Sequence, residues 1–203
     1  ILNMVFRLKK GDLIDILAPG SFIDEKENFQ KGVEILKNWG LEINENNSLT
    51  QKFGYFAGND LTRFEALEKA QNSKLIIFAK GGWGSARILE KEPSWGNGLM
   101  LGFSDTCSLL LSKYSQGFIG SIHGPMVTSL FKEPEWSLER LRNLLFEGYV
   151  QDIMGIPLRG GKAKGEIIVS NLTIATFLIG TNHFPNCRGK IIIFEDINED
   201  IYK

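Results

Sequence analysis

Cysteine is nearly absent from this 203-residue chain: there are two, Cys107 and Cys187, far apart and in unrelated contexts. Neither belongs to a paired Cys or Cys/His spacing, which excludes a disulfide framework, a redox motif and a sequence-encoded zinc finger. Charge of one sign is also missing. Lys and Arg number 23 against 24 Asp and Glu, for a net charge of −1. With no long single-sign run, neither nucleic acid nor an anionic membrane surface is expected as a partner. No apolar run approaches the roughly 20 residues of a membrane-spanning helix. The apolar part of residues 1–10 is too short for a secretory signal and precedes no small-residue cleavage site, so a cytoplasmic, reducing location is expected. Repeats and low-complexity tracts are absent. What remains is 43% hydrophobic and 11% aromatic residues, enough to bury a core in one or two domains.

The first three quarters of the chain alternate between two patterns. Apolar runs at 13–18 (interrupted by Asp15), 41–43, 75–79, 99–101 and 118–122 read as buried strands. Between them lie helix-spaced segments. One carries Phe29, Val33, Leu36 and Trp39 and stops at Gly40. Another is capped by Asn59 or Asp60 and carries Leu61, Phe64, Leu67 and Ala70. A short helix holds Arg87, Ile88 and Leu89, a further one spans 105–113, and a last runs over 133–146 with Pro134 or Ser137 near its start. Such alternation predicts an α/β fold with a parallel sheet covered on both faces. Ligands of these sheets bind off the carboxyl ends of the strands. The Pro19-Gly20-Ser21 turn, the Gly81-Gly82-Trp83-Gly84 loop and Ser104 therefore belong to one edge. Beyond a crossover at 148–155 the character changes. A Gly- and Lys-rich stretch at 158–164 precedes a strand at 165–169, a short helix at 172–178 closed by Gly180, and a strand at 190–194. A domain boundary is placed near residue 150, giving domains 1–149 and 150–203.

Chemistry concentrates at Gly102-Phe103-Ser104-Asp105, where a strand breaks at a glycine and passes a serine into a helix. A serine on such an elbow stands at the sheet's carboxyl edge beside the free N–H groups of the first helical turn, as a nucleophile requires. Those donors suit an oxyanion. Serine is equally a good helix N-cap. The Gly81-Gly82 loop either supplies an amide to the same oxyanion or is a plain tight turn. It lacks the Lys-Ser/Thr of a phosphate-binding loop and the spacing of a dinucleotide fingerprint. His123, at the end of the following strand, is the nearest candidate base for Ser104, or else a residue fixing its own loop. Glu195-Asp196, with Glu199 and Asp200 behind, places carboxylates at a strand end, where one could orient a catalytic histidine.

Taken together the motifs resemble the serine-type L,D-carboxypeptidases, a family that includes the immunity peptidases inactivating microcin C. The resemblance runs through Gly11-Asp12, Ala18-Pro19, Ala57-Gly58-Asn59-Asp60 with Arg63, and Gly81-Gly82-Trp83-Gly84-Ser85 with Arg87. It continues through Gly102-Phe103-Ser104-Asp105, His123-Gly124-Pro125, Asn171-Leu172, Gly180-Thr181 and Glu195-Asp196. It implies a flavodoxin-like N-terminal layer, a smaller β-rich C-terminal domain and a homodimer. The implied reaction removes the terminal D-alanine from murein tetrapeptides by cutting after the L-centre of a diamino acid. Ser104 would be the nucleophile, the N–H groups of Gly82 and Asp105 the oxyanion hole, and Glu195 the carboxylate orienting a histidine. Neither a metal nor an organic cofactor is implied.

Three departures from the family pattern stand out. The family's catalytic histidine follows the glutamate, whereas His123 and His183 both precede Glu195, so the histidine is expected beyond Lys203 and the chain is expected to be C-terminally incomplete. Lys80 stands where an arginine commonly precedes the glycine loop, keeping the charge without the planar fork. Val169-Ser170 replaces glycines before Asn171-Leu172. Two other functions fit these residues less well. One is a microcin-immunity type peptidase acting on aminoacyl-nucleotide conjugates, for which no clear aromatic clamp is visible. The other is a non-catalytic α/β binding module, should Lys203 be the natural end.

Overall fold

The structure, a computed structural model, describes residues 7–44 and 47–200. Most of residues 1–10, and the segment after Asp200, thus lie outside the described residues. Five parallel strands form the main sheet: β1 (Leu13–Leu17), β2 (Glu42–Asn44), β3 (Leu75–Phe78), β4 (Leu99–Gly102) and β5 (Ser121–His123). Their order is β2-β1-β3-β4-β5, the flavodoxin-like winding, with helices crossing over both faces. Asp15, the polar break in β1, sits opposite Asn44 of edge strand β2 and accepts its amide at 2.8 Å.

Strand periodicity divides the apolar residues between two cores. Ile14, Ile16, Leu75, Ile77, Leu99 and Leu101 face one side, where α1 (Lys26–Asn38) and α4 (Glu135–Glu147) bring Val33, Leu36, Leu141 and Leu145. Leu17, Ile76, Phe78 and Met100 face the other, against α2 (Asp60–Lys69) and α3 (Cys107–Ser115). Successive strand side chains point to opposite faces, so continuous apolar runs are what a doubly covered sheet demands. Each fully buried Leu or Ile contributes about 1.5–3 kcal/mol.

The helix ends follow their residues. Asn59 caps α2 by accepting the Thr62 N–H at 2.9 Å, and Gly40 (φ +89°) and Gly148 (φ +68°) supply left-handed turns after α1 and α4. The helix expected at 105–113 is present as α3, Cys107–Ser115, preceded by a 3-10 turn over Ser104–Thr106. The short helix around Arg87 is itself a 3-10 turn, Ser85–Lys91. Both tight turns bridge strand ends to the sheet face within a few residues, a span suited to 3-10 geometry.

Past residue 150 the chain runs exposed and without regular structure to a two-stranded parallel sheet, β6 (Ile167–Asn171) and β7 (Ile191–Glu195), joined through α5 (Leu172–Leu178). Its apolar face does not stand alone: Ile168, Ala175 and Leu178 enter the same core as α3. Covered by the main sheet on one side and by this unit on the other, α3 is buried without a break from Cys107 to Lys113.

Candidate active site

Ser104 follows β4 in the left-handed region at φ +59°, a conformation that costs a non-glycine residue about 1–3 kcal/mol and concentrates at functional sites. The bend that delivers it needs Gly102. A Cβ there would lie 2.4 Å from Thr106 Oγ1 and 2.6 Å from the Phe78 ring. The serine does not cap a helix: Phe103 occupies the cap position, with no side-chain cap bond. Among the described residues no protein group hydrogen-bonds the Ser104 hydroxyl. Its strain, position and free hydroxyl thus distinguish it from a capping serine.

The glycine loop lies against this hydroxyl. A Cβ built on Gly81 would stand 3.3 Å from Ser104 Cβ and 3.4 Å from Ser104 Oγ. Gly82, next to it, has φ +88°, and a Cβ there would reach within 2.4 Å of Ser21 Oγ. No acceptor in the chain takes the Gly82 N–H among the described residues. Ser21 of the Pro19-Gly20-Ser21 turn holds the loop by donating its N–H and its hydroxyl to Gly81 O, at 3.2 and 2.9 Å. The three loops assigned to one sheet edge do meet there.

A second clasp was not legible in the sequence. The buried Asp105 carboxylate accepts the Gly84 N–H at 3.1 Å, the Ser85 N–H at 2.9 Å and the Ser85 hydroxyl at 2.5 Å. The residue after the candidate nucleophile therefore fixes the far end of the glycine loop. Burial pushes its pKa above the usual aspartate value, against the pull of those hydrogen bonds. Behind it the buried Arg63 guanidinium donates to Pro19 O and Gly84 O and pairs with Asp60. Asp60 in turn takes a fork from Arg87, at 2.6–3.1 Å. Gly20 has no room for a side chain, since a Cβ would sit 2.5 Å from Asp105 Oδ2.

On the other flank, β5 ends at His123 and β7 ends at Glu195. His123 pairs in register with Gly102, its ring edge-on to Phe103 at 6.1 Å. His123 Nε2 faces Glu195 Oε1 at 3.7 Å. No hydrogen bond joins His123 to Ser104 among the described residues, so the structure brings the histidine to the carboxylate and not to the serine. Burial holds the His123 pKa below its ordinary value, with Glu195 opposing that shift. Asp196 has a separate task. Its carboxylate takes the Thr173 N–H and hydroxyl at the start of α5 and an Asn171 amide proton. Glu199 is exposed. Glu195 is thus set on a histidine, and Asp196 on the start of α5. His183 is engaged elsewhere, bonded through Nδ1 to Ser112 Oγ at 2.8 Å.

Tyr55 and Phe56, not singled out in the sequence, rim the glycine loop together with its own Trp83. Phe56 lies 5.9 Å from Trp83 and 5.8 Å from Tyr55, with the Arg63 and Arg87 guanidinium groups 4.8 and 5.6 Å from its ring centre. Trp83 and Tyr55 are half exposed. Lys80 points away from this rim to Asp24 and Glu25.

Comparison with known proteins adds sequence and fold relatives. Residues 14–124 match the family described as LD-carboxypeptidase N-terminal domain, and residues 164–203 match the LD-carboxypeptidase C-terminal domain. A Synechocystis sp. protein with a provisional carboxypeptidase name is 37% identical over 97% of this chain and 67% of its own length. A Bacillus subtilis protein provisionally named a murein peptide carboxypeptidase is 28% identical over 97% of this chain and 66% of its own. The chain thus spans about two thirds of the length of these curated relatives. The solved apo structure of the microcin C7 self-immunity protein superposes with TM-score 0.82 at 21% identity, covering 97% of this chain and 71% of that one. That likeness is one of fold.

Proposed function

Because the chain belongs to the LD-carboxypeptidase family, we propose that it is a serine-type hydrolase that removes the terminal D-alanine from murein tetrapeptides. Ser104 attacks the carbonyl of the scissile amide. The Gly82 and Asp105 N–H groups hold the oxyanion that develops on it. A histidine held by Glu195 takes the serine proton and passes it to the departing amine, and water then hydrolyses the acyl-enzyme. The family resemblance puts that histidine after Glu195 in sequence; His123, which makes no hydrogen bond to Ser104 among the described residues, and His183, bonded to Ser112, are not assigned the role. The division near residue 150, a homodimer and a cytoplasmic location belong to the same reading.

The observation that carries the proposal is Ser104 itself: a left-handed, unbonded serine at a strand-to-helix elbow, against a glycine loop with a free N–H. D-alanine release from a purified murein tetrapeptide by the full-length protein tests it, with Ser104→Ala assayed alongside. Release is expected, and the variant should lose activity by about 10³-fold or more. Equal release by the variant would remove Ser104 from the chemistry. The Tyr55, Phe56 and Trp83 rim favours one second reading, a conjugate with an aromatic base. An aminoacyl-sulfamoyl nucleoside assayed in parallel distinguishes the two.

A further inference from the structure

His123 and Glu195 meet where β5 and β7 end, with Nε2 and Oε1 3.7 Å apart. Among the described residues neither His123 Nε2 nor Glu195 Oε1, both shielded from solvent, has a hydrogen-bond partner, and their separation is too long for a hydrogen bond between them. A third donor completes the group. Cys107, fully buried on the first turn of α3, brings its sulfur near them, and the three potential ligand atoms all lie within 4.8 Å of one another. They come from three different elements, the ends of β5 and β7 and the start of α3. The residues are 16 and 72 positions apart along the chain, so no spacing motif announces them.

From this geometry we propose that Cys107, His123 and Glu195 form a binding site for a borderline divalent cation of the zinc type. A thiolate sulfur, an imidazole nitrogen and a carboxylate oxygen are the ligand types such ions take. Tetrahedral zinc with bonds of about 2.0–2.3 Å separates neighbouring ligand atoms by roughly 3.3–3.7 Å. The His123–Glu195 distance of 3.7 Å already matches one such edge, and the sulfur closes by a shift of about 1 Å. On binding, the Cys107 thiol gives its proton to solvent, and the two anionic ligands then balance the charge of the ion. Three protein ligands leave a fourth position for water. The Asn171 N–H, donating to Cys107 Sγ at 3.3 Å, supplies the outer-shell hydrogen bond that thiolate ligands favour. A cleft of about 520 Å³ between α3, β5 and β6 reaches His123 and offers an entry path. One consequence rests on the function proposed above: an ion on Glu195 removes the carboxylate that would orient the catalytic histidine, so occupation inhibits.

Cobalt(II) and zinc titration of the metal-stripped full-length protein tests the site without any assay of activity. One equivalent of cobalt should bind with a thiolate-to-metal charge-transfer band that zinc displaces. Cys107→Ser should abolish the band. His123→Gln, at a half-buried strand end, should weaken zinc binding by more than about tenfold while leaving the far-ultraviolet circular dichroism unchanged. Should Cys107→Ser fail to fold, His123→Gln decides alone. Absence of the charge-transfer band, or zinc affinity unaltered in His123→Gln, overturns the site. One-equivalent binding in a protein that hydrolyses no tetrapeptide supports the site while refuting the reaction. Zinc inhibition of tetrapeptide cleavage, relieved in Cys107→Ser, supports both.

Discussion

Replacing Asp105 by asparagine tests the clasp between the candidate nucleophile elbow and the glycine loop. The carboxylate offers two acceptor oxygens to three donors: Gly84 N–H on one, Ser85 N–H and hydroxyl on the other. Asparagine offers one oxygen and turns an amino group toward a donor whichever way it is flipped. One buried donor is then unmet, at about 1–3 kcal/mol, and the surviving bonds lose their charge assistance, at about 1 kcal/mol each. Against this stands the cost of burying the charge, visible in the raised pKa of Asp105. We expect a net destabilisation of about 2–4 kcal/mol, or roughly 5–15 °C in Tm for a chain of this size. Differential scanning calorimetry at neutral pH measures it. The pH dependence gives an independent check on sign. A carboxyl whose folded pKa is raised above 3.8 contributes stability that is complete below that value and lost as pH rises through the folded pKa. Asp105→Asn should therefore remove part of the decline in stability with rising pH in that window. A Tm within about 2 °C of the parent, with an unaltered pH profile, would refute the clasp.

Three further substitutions probe neighbouring features. Ser104→Gly removes the left-handed strain that Ser104→Ala retains, so calorimetry should find the glycine variant more stable than the alanine variant by about 1 kcal/mol, both being inactive. Gly82→Ala, whose Cβ would meet Ser21 Oγ at 2.4 Å, should displace the loop and lower kcat by about 10²-fold or more in tetrapeptide hydrolysis, with KM changing less. Lys113 is buried in α3, donates to Gly96 O, and burial lowers its pKa from 10.5 to about 8. Its unfolded form binds the extra proton between those values, so stability should rise with pH from about 8 to 10.5. The rise is on the order of 3 kcal/mol, and urea unfolding of Lys113→Met should show it flattened.

The sheet was legible because its information is local. Each of the five strands is a short apolar run closed by a turn, and the runs alternate with helix-spaced segments, which restricts the topology to a doubly covered parallel sheet. That topology alone places the Pro19, Gly81 and Ser104 loops at one edge, and the observed contacts of Gly81 with Ser104 and of Ser21 with Gly81 follow from it. Strand ends shifted by one to three residues, the helix expected around Arg87 became a 3-10 turn and the one expected from Asp105 begins with such a turn before α3, because terminal geometry depends on what the neighbouring loop packs against. Asp105 shows the limit most plainly. One residue past a candidate nucleophile, it reads locally as a first-turn acid favoured by the helix dipole, yet its partners lie 20 and 21 positions upstream. Nothing in the periodicity of either segment records that pairing.

His123 and Glu195 carry the same lesson further. In sequence, His123 is the base nearest to Ser104, since its strand follows the serine's helix. The register of β5 beside β4 sets it level with Gly102, however, and the second unit then packs its own parallel pair against α3, bringing the end of β7 to the same place. A histidine offered both a hydroxyl and a carboxylate is found on the carboxylate, because His123 and Glu195 are strand-end residues fixed by two sheets, while Ser104 turns through a left-handed bend toward the glycine loop. The site thus has two halves. One is an elbow and a loop tied together by Asp105 and Ser21. The other is a carboxylate and an imidazole beside a buried thiol. The reading of Ser104 as nucleophile and Glu195 as orienting carboxylate requires a histidine that reaches both halves.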